Sequence, residues 1–167
     1  MAKTIQQSVV FPARASKLFA LYADGKLHGA ATGQKAAIGK AAGGRFSAFN
    51  GMITGKLLHI ARNRIWVQTW RGKHWKSSDR DSVLTLVFDD TPKGGRVVLV
   101  HANVPDHDAK GVNTGWRSFY WEPWSKFLQM GGKPARKAKA ARGKRGGAAK
   151  RPASRGGAGR SKRGARR

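Results

Sequence analysis

The amino-acid sequence predicts an α+β fold in which a curved antiparallel β-sheet packs against a long C-terminal helix. Strand-like and helix-like segments are segregated over positions 1–130 instead of alternating, which is typical of α+β folds. Turn signals separate consecutive short apolar segments in the middle of the chain, as expected of an antiparallel meander. The last apolar segment has helical spacing instead.

The first predicted elements are a strand, two helices and a short strand that enters a turn. We assign them to residues 4–11, 13–23, 26–31 and 32–39. The first strand alternates in polarity and ends at Pro12. An apolar stripe of Leu18, Phe19 and Tyr22 predicts the first helix.

Five further strands are predicted in the centre of the chain, and they account for most of the sheet. They cover residues 45–49, 52–61, 64–71, 82–89 and 96–104. Asn50 and Gly51 are a strong hairpin signal between the first two of these strands. Gly55 lies inside a predicted strand, where we expect it to allow a bulge or a bend. Residues 106–114 are predicted to form a polar loop.

The C-terminal helix is predicted over residues 115–130. Its apolar residues follow a spacing close to i, i+3, i+4, i+7 and are Trp116, Phe119, Tyr120, Pro123, Trp124, Phe127 and Leu128. An antiparallel sheet with one apolar face needs a cover, and this helix has a wide enough apolar stripe to provide it. Incomplete packing between the sheet and the helix would leave a cavity, which is a usual place for a ligand.

A set of short segments carries a family resemblance over residues 4–129. The segments are 5–11, 32–33 with Ala36 and Ile38, 43–47, 51–55, 65–71, Trp75, 82–86, 99–101, 104–105, 115–116 and 120–121 with Pro123. Together they resemble homologues of the activator of the heat-shock protein 90 ATPase. That family belongs to the SRPBCC superfamily, which includes START proteins and polyketide cyclases. The resemblance implies a helix-grip fold, with the sheet curved around the C-terminal helix and a hydrophobic groove or cavity between them.

For function, the resemblance implies a non-enzymatic binding module that holds a hydrophobic small molecule or a protein partner. A chaperone-linked stress regulator is an alternative, and so is a cyclase- or hydrolase-type enzyme that uses the cavity. The residues that we predict to line a pocket are Trp66, Trp70, Trp116, Tyr120, Trp124 and His101. Plain core packing is the alternative for the aromatic residues, since large aromatic side chains dominate cores.

Catalytic, metal and cofactor chemistry have little support in the sequence. His101 beside an aspartate would be a general base, but no catalytic residue is assigned. The five histidines show neither His-x-His nor His-x-x-x-His spacing, and the chain has no cysteine, so thiolate ligands and cysteine nucleophiles are excluded. We therefore expect no metal and no cofactor.

Residues 131–167 differ from the rest of the chain in composition. They contain 15 of the 34 Lys and Arg residues and no Asp or Glu, which leaves 19 basic and all 8 acidic residues at positions 1–130. They lack Leu, Ile, Val and aromatic residues, so we predict a disordered tail that follows a folded domain over residues 1–130. Its composition is similar to that of linker-histone and bacterial histone-like tails.

The predicted partner of the tail is nucleic acid, bound without sequence preference through the release of condensed counterions. Another polyanion such as acidic lipid, or a solubilising role, is an alternative. The binding residues would be Lys133, Arg136, Lys137, Lys139, Arg142, Lys144, Arg145, Lys150, Arg151, Arg155, Arg160, Lys162, Arg163, Arg166 and Arg167. A surface patch of Arg71, Lys73, Lys76, Arg80 and Lys93 around Trp75 would extend this site or be solvated loop charge.

The sequence also bears on localisation. The first residues contain no apolar segment of signal-peptide length. No segment approaches the roughly 18 apolar residues that cross a bilayer. We therefore expect a cytoplasmic protein without a membrane span, with nucleoid association as an open alternative.

Overall fold

A computed structural model of the chain describes residues 1–133. The predicted basic tail lies outside these residues, apart from its first three. The described part contains a seven-stranded antiparallel sheet with the strand order β1-β7-β6-β5-β4-β3-β2. The strands are β1 (Ala2–Phe11), β2 (Ala37–Ile38), β3 (Arg45–Ala48), β4 (Ile53–Ala61), β5 (Ile65–Gly72), β6 (Ser82–Thr91) and β7 (Gly94–Pro105).

The helices fall into two groups. Helices α1 (Ala15–Ala23) and α2 (Gly25–Thr32) connect β1 to β2. Helix α3 (Ala109–Trp116), a π-helical turn (Arg117–Trp121) and helix α4 (Glu122–Gln129) follow one another without a break. We call this continuous element, residues 109–129, the grip helix. The curved antiparallel sheet with its C-terminal helix confirms the predicted α+β helix-grip architecture.

Alternation along β5 shows which face of the sheet meets the helices. Trp66, Gln68 and Trp70 are buried, whereas Ile65 and Val67 on the other face are only partly buried. Because successive side chains of a strand point to opposite faces, the tryptophan face is the inner one. Alternation in the sequence separates the residues of β5 into two faces, but it does not show which face packs against the helix.

The prediction of a polar loop at residues 106–114 is wrong. A 3-10 turn (Asp106–Asp108) is followed by α3, which starts at Ala109. Val112 and Trp116 lie four residues apart in α3 and are both buried. Their packing on the inner side compensates for the weak helix propensity of the Gly, Asn and Thr residues between them.

The strand predicted at residues 32–39 is shorter than expected, because α2 extends to Thr32. The Thr32 hydroxyl donates to the carbonyl oxygen of His28 at 2.8 Å. Gly33, with φ +75°, then ends the helix in the left-handed conformation. Only Ala37 and Ile38 pair with β3.

Gly55 lies where β4 passes very close to β5. A Cβ atom at this position would be 2.0 Å from the carbonyl oxygen of Thr69, so only glycine allows this approach. The register between the two strands shifts between Leu57 and His59, which places a bulge shortly beyond the glycine. Together, the glycine and the bulge bend β4.

The predicted hairpin between β3 and β4 is confirmed, with a longer loop than two residues. Ala48 pairs with Ile53, so residues 49–52 form the connection. Phe49, Asn50 and Gly51 all have positive φ angles, of 52°, 56° and 84°. We call residues 49–52 the hairpin loop, and this backbone brings it to the end of the sheet beside the grip helix.

Two glycines end the grip helix. Gly131 and Gly132 have φ angles of 68° and 76°. The Gly132 N–H donates to the Phe127 carbonyl oxygen at 2.9 Å and the Gly131 N–H donates to the Leu128 carbonyl oxygen at 3.0 Å. This hydrogen-bond pair is the Schellman motif, so the first two residues of the predicted tail belong to the helix cap. No helix within residues 1–133 is long and apolar enough to span a membrane.

Candidate ligand-binding cleft

A cleft of about 680 Å³ opens between the grip helix, the hairpin loop and the ends of β4 and β5. We call it the grip cleft. Its lining is mostly aromatic and aliphatic, and it includes one imidazole and one carboxylate, those of His74 and Asp108. The lining residues are Gln34, Phe49, Asn50, Met52, Ile53, Trp70, Gly72, His74, Asp108, Gly111, Val112, Gly115, Trp116, Phe119 and Tyr120.

Three of the six residues predicted to line a pocket are in the grip cleft, namely Trp70, Trp116 and Tyr120. Trp66 and Trp124 are buried in the core and do not line it. The Trp66 indole N–H donates to Gln68 Oε1 at 2.6 Å, and Trp124 packs its ring 5.9 Å from that of Phe11.

Trp116 is the central aromatic residue of the cleft wall. Its ring stacks on Tyr120 at a centroid distance of 4.5 Å and on Trp121 at 5.5 Å. Tyr120 and Trp121 are adjacent in sequence and yet both are buried. The π-helical turn explains this arrangement, because the Glu122 N–H donates to the Arg117 carbonyl oxygen five residues earlier. The wider turn allows both rings to face inwards, and such turns are frequent at functional sites.

His101 lies behind this wall, where it holds Trp116 in place. The Trp116 indole N–H donates to His101 Nδ1 at 3.1 Å, so the His101 Nε2–H donates to Ser82 Oγ at 2.7 Å. The Ser82 hydroxyl then donates to the carbonyl oxygen of Trp70 at 2.8 Å. Burial lowers the pKa of His101 to about 4, so the ring is neutral at pH 7.

The environment of His101 is not that of a general base. Both of its ring nitrogens are engaged, and its hydrogen-bond partners within residues 1–133 are Trp116 and Ser82, not a carboxylate. The geometry therefore favours a positioning role for His101, since it links two walls of the cleft through Trp116 and Trp70.

His28 lies deeper in the interior, among aromatic rings. Its ring centroid is 5.4 Å from that of Tyr120 and 5.8 Å from that of Phe46. Its Nδ1–H donates to the Tyr22 carbonyl oxygen at 3.0 Å, and burial lowers its pKa to about 4. The side chain therefore acts as a neutral aromatic ring of the core, next to a residue that lines the cleft.

Several buried polar atoms near the cleft have no hydrogen-bond partner among the described residues. They include Trp70 Nε1, the Tyr120 hydroxyl and Gln68 Nε2. Burial raises the pKa of Tyr120 well above its ordinary value, so the phenol stays protonated. Because these atoms are inaccessible to solvent, they lie behind the wall of the cleft and not on its surface.

Asp108 and the loop after β5 form one edge of the cleft. Asp108 Oδ2 lies 2.9 Å from His74 Nε2 and accepts a hydrogen bond from the Trp75 indole at 2.7 Å. Asp79, in the same loop, accepts from the Lys76 N–H at 2.7 Å and lies 3.0 Å from His107 Nε2. These contacts fasten residues 73–81 to the 3-10 turn that precedes the grip helix.

The same contacts correct the predicted basic patch around Trp75. Trp75 is buried and not exposed. Arg71 is also occupied, because it pairs with Asp81 at 3.0 Å and donates to the Lys76 and Asp79 carbonyl oxygens. Two residues of the predicted patch, Arg71 and Trp75, are therefore part of the loop structure.

The sequence does not predict the lining residues that come from turns and loops. Phe49, Met52, His74 and Asp108 come from turns or loops that are far apart in the chain. The hairpin signal at Asn50–Gly51 locates one of these loops but not the helix that it approaches. Tertiary structure alone brings the four residues together.

Residues 12–123 match the model of a protein family described as Activator of Hsp90 ATPase homolog 1-like protein. The chain belongs to this family. Membership of this family supports the prediction that the domain is a module that binds a ligand or is linked to a chaperone.

One curated protein that is similar to this chain is an uncharacterized protein of Schizosaccharomyces pombe. It is 26% identical over 119 residues, which are 71% of this chain and 35% of the relative. The chain therefore spans about a third of the length of that protein.

Solved structures support the same fold. An HSP90 activator from Plasmodium falciparum is 21% identical, with a TM-score of 0.65 over 78% of this chain and 97% of the other. The Aha1 dimer from Colwellia psychrerythraea is 15% identical, with a TM-score of 0.65 over 77% of this chain and 98% of the other. At these identities, the likeness shows the fold of the Activator of Hsp90 ATPase homolog 1-like family and not a shared partner.

Proposed function

We propose that the domain is a non-enzymatic binding module that holds a hydrophobic small molecule, or an apolar segment of a protein partner, in the grip cleft. The observation that carries the proposal is the cleft itself. Its volume of about 680 Å³ lies within the range of about 300–1,000 Å³ for small-molecule sites. Such sites are typically apolar with a few polar groups, and the lining here has this composition.

The residues of the wall are held in fixed positions, which favours binding. Trp116 is stacked on Tyr120 and is hydrogen-bonded to His101. His101 is in turn connected to the Trp70 backbone through Ser82. A preformed wall reduces the entropy lost when a ligand binds.

Gly115 offers a way to fill the cleft without disturbing the core. It lies on the grip helix, it lines the cleft, and a Cβ atom at this position would be in ordinary contact with Phe119 at 3.6 Å. Gly115→Leu should occupy the cleft, whereas Gly115→Ala adds one carbon and leaves most of the volume free. The pair thus separates the filling of the cleft from the removal of a helix glycine.

The test is titration of full-length protein with the neutral fluorescent probe N-phenyl-1-naphthylamine. We expect Gly115→Leu to weaken probe binding by about tenfold or more, in line with the loss of a well-packed apolar site. Gly115→Ala should stay within about twofold of the parent. Native mass spectrometry of gently purified protein tests for a co-purifying ligand. Equal probe affinities for both variants would refute the proposal.

We also propose that residues 131–167 bind nucleic acid without sequence preference. The 15 Lys and Arg residues, with no acidic residue among them, support this proposal. Positions 1–130 also carry an excess of basic over acidic side chains, with 19 against 8. Each phosphate that is neutralised releases condensed counterions, which favours binding at low salt.

A full-length variant in which every Lys and Arg from Lys133 onwards is replaced by glutamine tests the tail. Fluorescence anisotropy with two unrelated DNA duplexes should give equal affinities for the parent chain. If about 8 charges engage, log K should fall against log salt with a slope of roughly −7. The glutamine variant should lose most of this slope. Binding of the variant at the same ionic strength as the parent would overturn this part of the proposal.

The family description favours a second candidate function, regulation of the chaperone ATPase. A coupled ATPase assay of Hsp90, with and without the full-length chain, tests it directly. Stimulation that survives in Gly115→Leu would favour a surface contact over an occupied cleft. Absence of stimulation, together with probe binding, would favour the small-molecule module.

A further inference from the structure

The mouth of the grip cleft has two exposed apolar lips. Phe119 on the grip helix is 59% exposed and Met52 in the hairpin loop is 49% exposed. Both line the cleft, and the Phe119 ring is 5.9 Å from that of Phe49 in the hairpin loop. Single exposed apolar side chains are ordinary. Two of them at one opening form an apolar patch, and such patches mark sites of interaction.

Three exposed lysines, Lys35, Lys73 and Lys110, are each adjacent in sequence to a residue that lines the cleft. The Lys73 N–H donates to the Met52 carbonyl oxygen at 2.8 Å, and the Lys35 carbonyl oxygen accepts from the Asn50 N–H at 3.2 Å. Lys110 directly precedes Gly111, which also lines the cleft. Within residues 1–133, none of the three lysines forms a salt bridge.

The acidic group at the mouth does not neutralise this charge. Asp108 accepts from the Trp75 indole and contacts His74, and its side chain is only 18% exposed. Among the described residues, the mouth therefore has protruding apolar side chains, and three exposed lysines without salt bridges are adjacent in sequence to its lining.

We propose that the mouth of the grip cleft docks on the surface of an anionic lipid bilayer. Met52 and Phe119 would enter the boundary between headgroups and acyl chains. Lys35, Lys73 and Lys110 would contact the anionic headgroups. This combination of apolar residues and cations is the one by which proteins bind to a membrane interface.

The lysines favour a bilayer over a protein partner. Protein–protein interfaces are depleted of lysine, because its flexible and strongly hydrated side chain is costly to order. An anionic leaflet attracts lysine through its surface potential, without requiring a fixed geometry. In this orientation the cleft opens towards the acyl chains, from which an apolar ligand can enter.

The test uses full-length protein and vesicles of phosphatidylcholine and phosphatidylglycerol in a two-to-one ratio, compared with vesicles of pure phosphatidylcholine. Lys35→Gln, Lys73→Gln and Lys110→Gln are combined in one variant. The matched control combines Lys56→Gln, Lys93→Gln and Lys126→Gln, which are exposed lysines with no sequence neighbour in the cleft lining. Both triple variants have the same net charge and the same tail, so any contribution of the tail to binding is equal.

A second pair of variants tests the apolar lips. Met52→Gln with Phe119→Gln is compared with Val10→Gln and Leu58→Gln, two residues that are each 45% exposed on strands. Flotation is measured at low and at high salt, because screening weakens the tail and lysine contributions more than the apolar one.

We expect the mouth lysine variant to bind anionic vesicles at least about tenfold more weakly than its control, since each lysine near such a surface changes binding by about fivefold. The lip variant should lose about tenfold or more at both salt concentrations, and its control should not. Equal binding of the mouth and control variants would overturn the proposal.

A site-specific label gives an independent measurement. The chain has no cysteine, so Met52→Cys and Leu58→Cys each provide one attachment point for an environment-sensitive dye. Only the dye at position 52 should shift to the blue on anionic vesicles, and equal shifts would count against docking through the mouth. Docking does not depend on an occupied cleft, so vesicle binding by Gly115→Leu would separate this inference from the proposed small-molecule function.

Discussion

Two histidine side chains, His28 and His101, are fully buried without a counter-charge among the described residues. Burial lowers the pKa of each to about 4 from an ordinary value of 6.5. Between these two values the unfolded chain binds more protons than the folded one. The free energy of unfolding should therefore fall as the pH drops from about 6.5 to about 4, by about 3 kcal/mol for each histidine.

Urea unfolding at several pH values between neutral and about pH 4 measures this loss. His28→Phe keeps an aromatic ring in the core and removes one of the two titrating groups. The pH dependence of this variant should be about half as steep as that of the parent. A parent protein whose unfolding free energy is constant over this range would show that the histidines are not buried in their neutral form.

Two glycines with different surroundings provide a second prediction for single residues. Gly55→Ala places a Cβ atom 2.0 Å from the Thr69 carbonyl oxygen, so β4 and β5 must separate. We expect a loss of about 3 kcal/mol in unfolding free energy. Gly115→Ala meets ordinary contacts within a helix and should instead stabilise the domain by about 0.5–1 kcal/mol. Thermal unfolding of both variants distinguishes the two signs.

At the scale of elements, the sequence predicts the sheet better than the grip helix. Alternation and turn residues locate the long strands of the meander, because half-buried strands record their two faces in the sequence. The first turns of the grip helix contain Gly111, Asn113, Thr114 and Gly115, which are poor helix formers. Their helical conformation depends on the burial of neighbouring side chains, and local propensity does not show this.

The candidate site shows the same limit. The large aromatic residues that line the cleft, Trp70, Trp116 and Tyr120, can be chosen from side-chain type and periodicity. Trp66 and Trp124 have the same type and similar spacing, yet they belong to the core. The π-helical turn contains one extra residue, so it shifts by about one position the side chains of the helix that face the sheet. No local sequence pattern predicts that turn.

The Schellman cap gives a prediction for the end of the grip helix. Gly131 has a φ angle of 68°, which costs an alanine about 1 kcal/mol. Gly131→Ala should lower the unfolding free energy by this amount, and Gly131→Asn should lower it less, because asparagine tolerates the left-handed conformation. Lys133→Ala, just beyond the cap, is the control and should have no measurable effect. Equal stabilities for all three variants would contradict this account of the helix end.

At the scale of the whole molecule, the buried hydrophobic side chains of the described part lie between Ile5 and Phe127. The helix cap that follows ends at Gly132. We therefore expect a chain of residues 1–133 to unfold in one cooperative transition, with a midpoint within about 2 °C of that of the full-length protein. Differential scanning calorimetry of both chains at physiological salt measures the two midpoints. A large decrease for the shorter chain would show that residues beyond 133 support the core.

The pairing of β1 with β7 imposes an order of events on biosynthesis. Phe11 pairs with Gly95 and Ala2 pairs with Pro105, so the strand of this sheet that is synthesised first must pair with the one that is synthesised last. Closing so long a loop is slow, and an unpaired strand is open to aggregation in the meantime. The nascent polypeptide must therefore emerge as far as β7 before its sheet can close, and holdase chaperones would have the most effect during that interval.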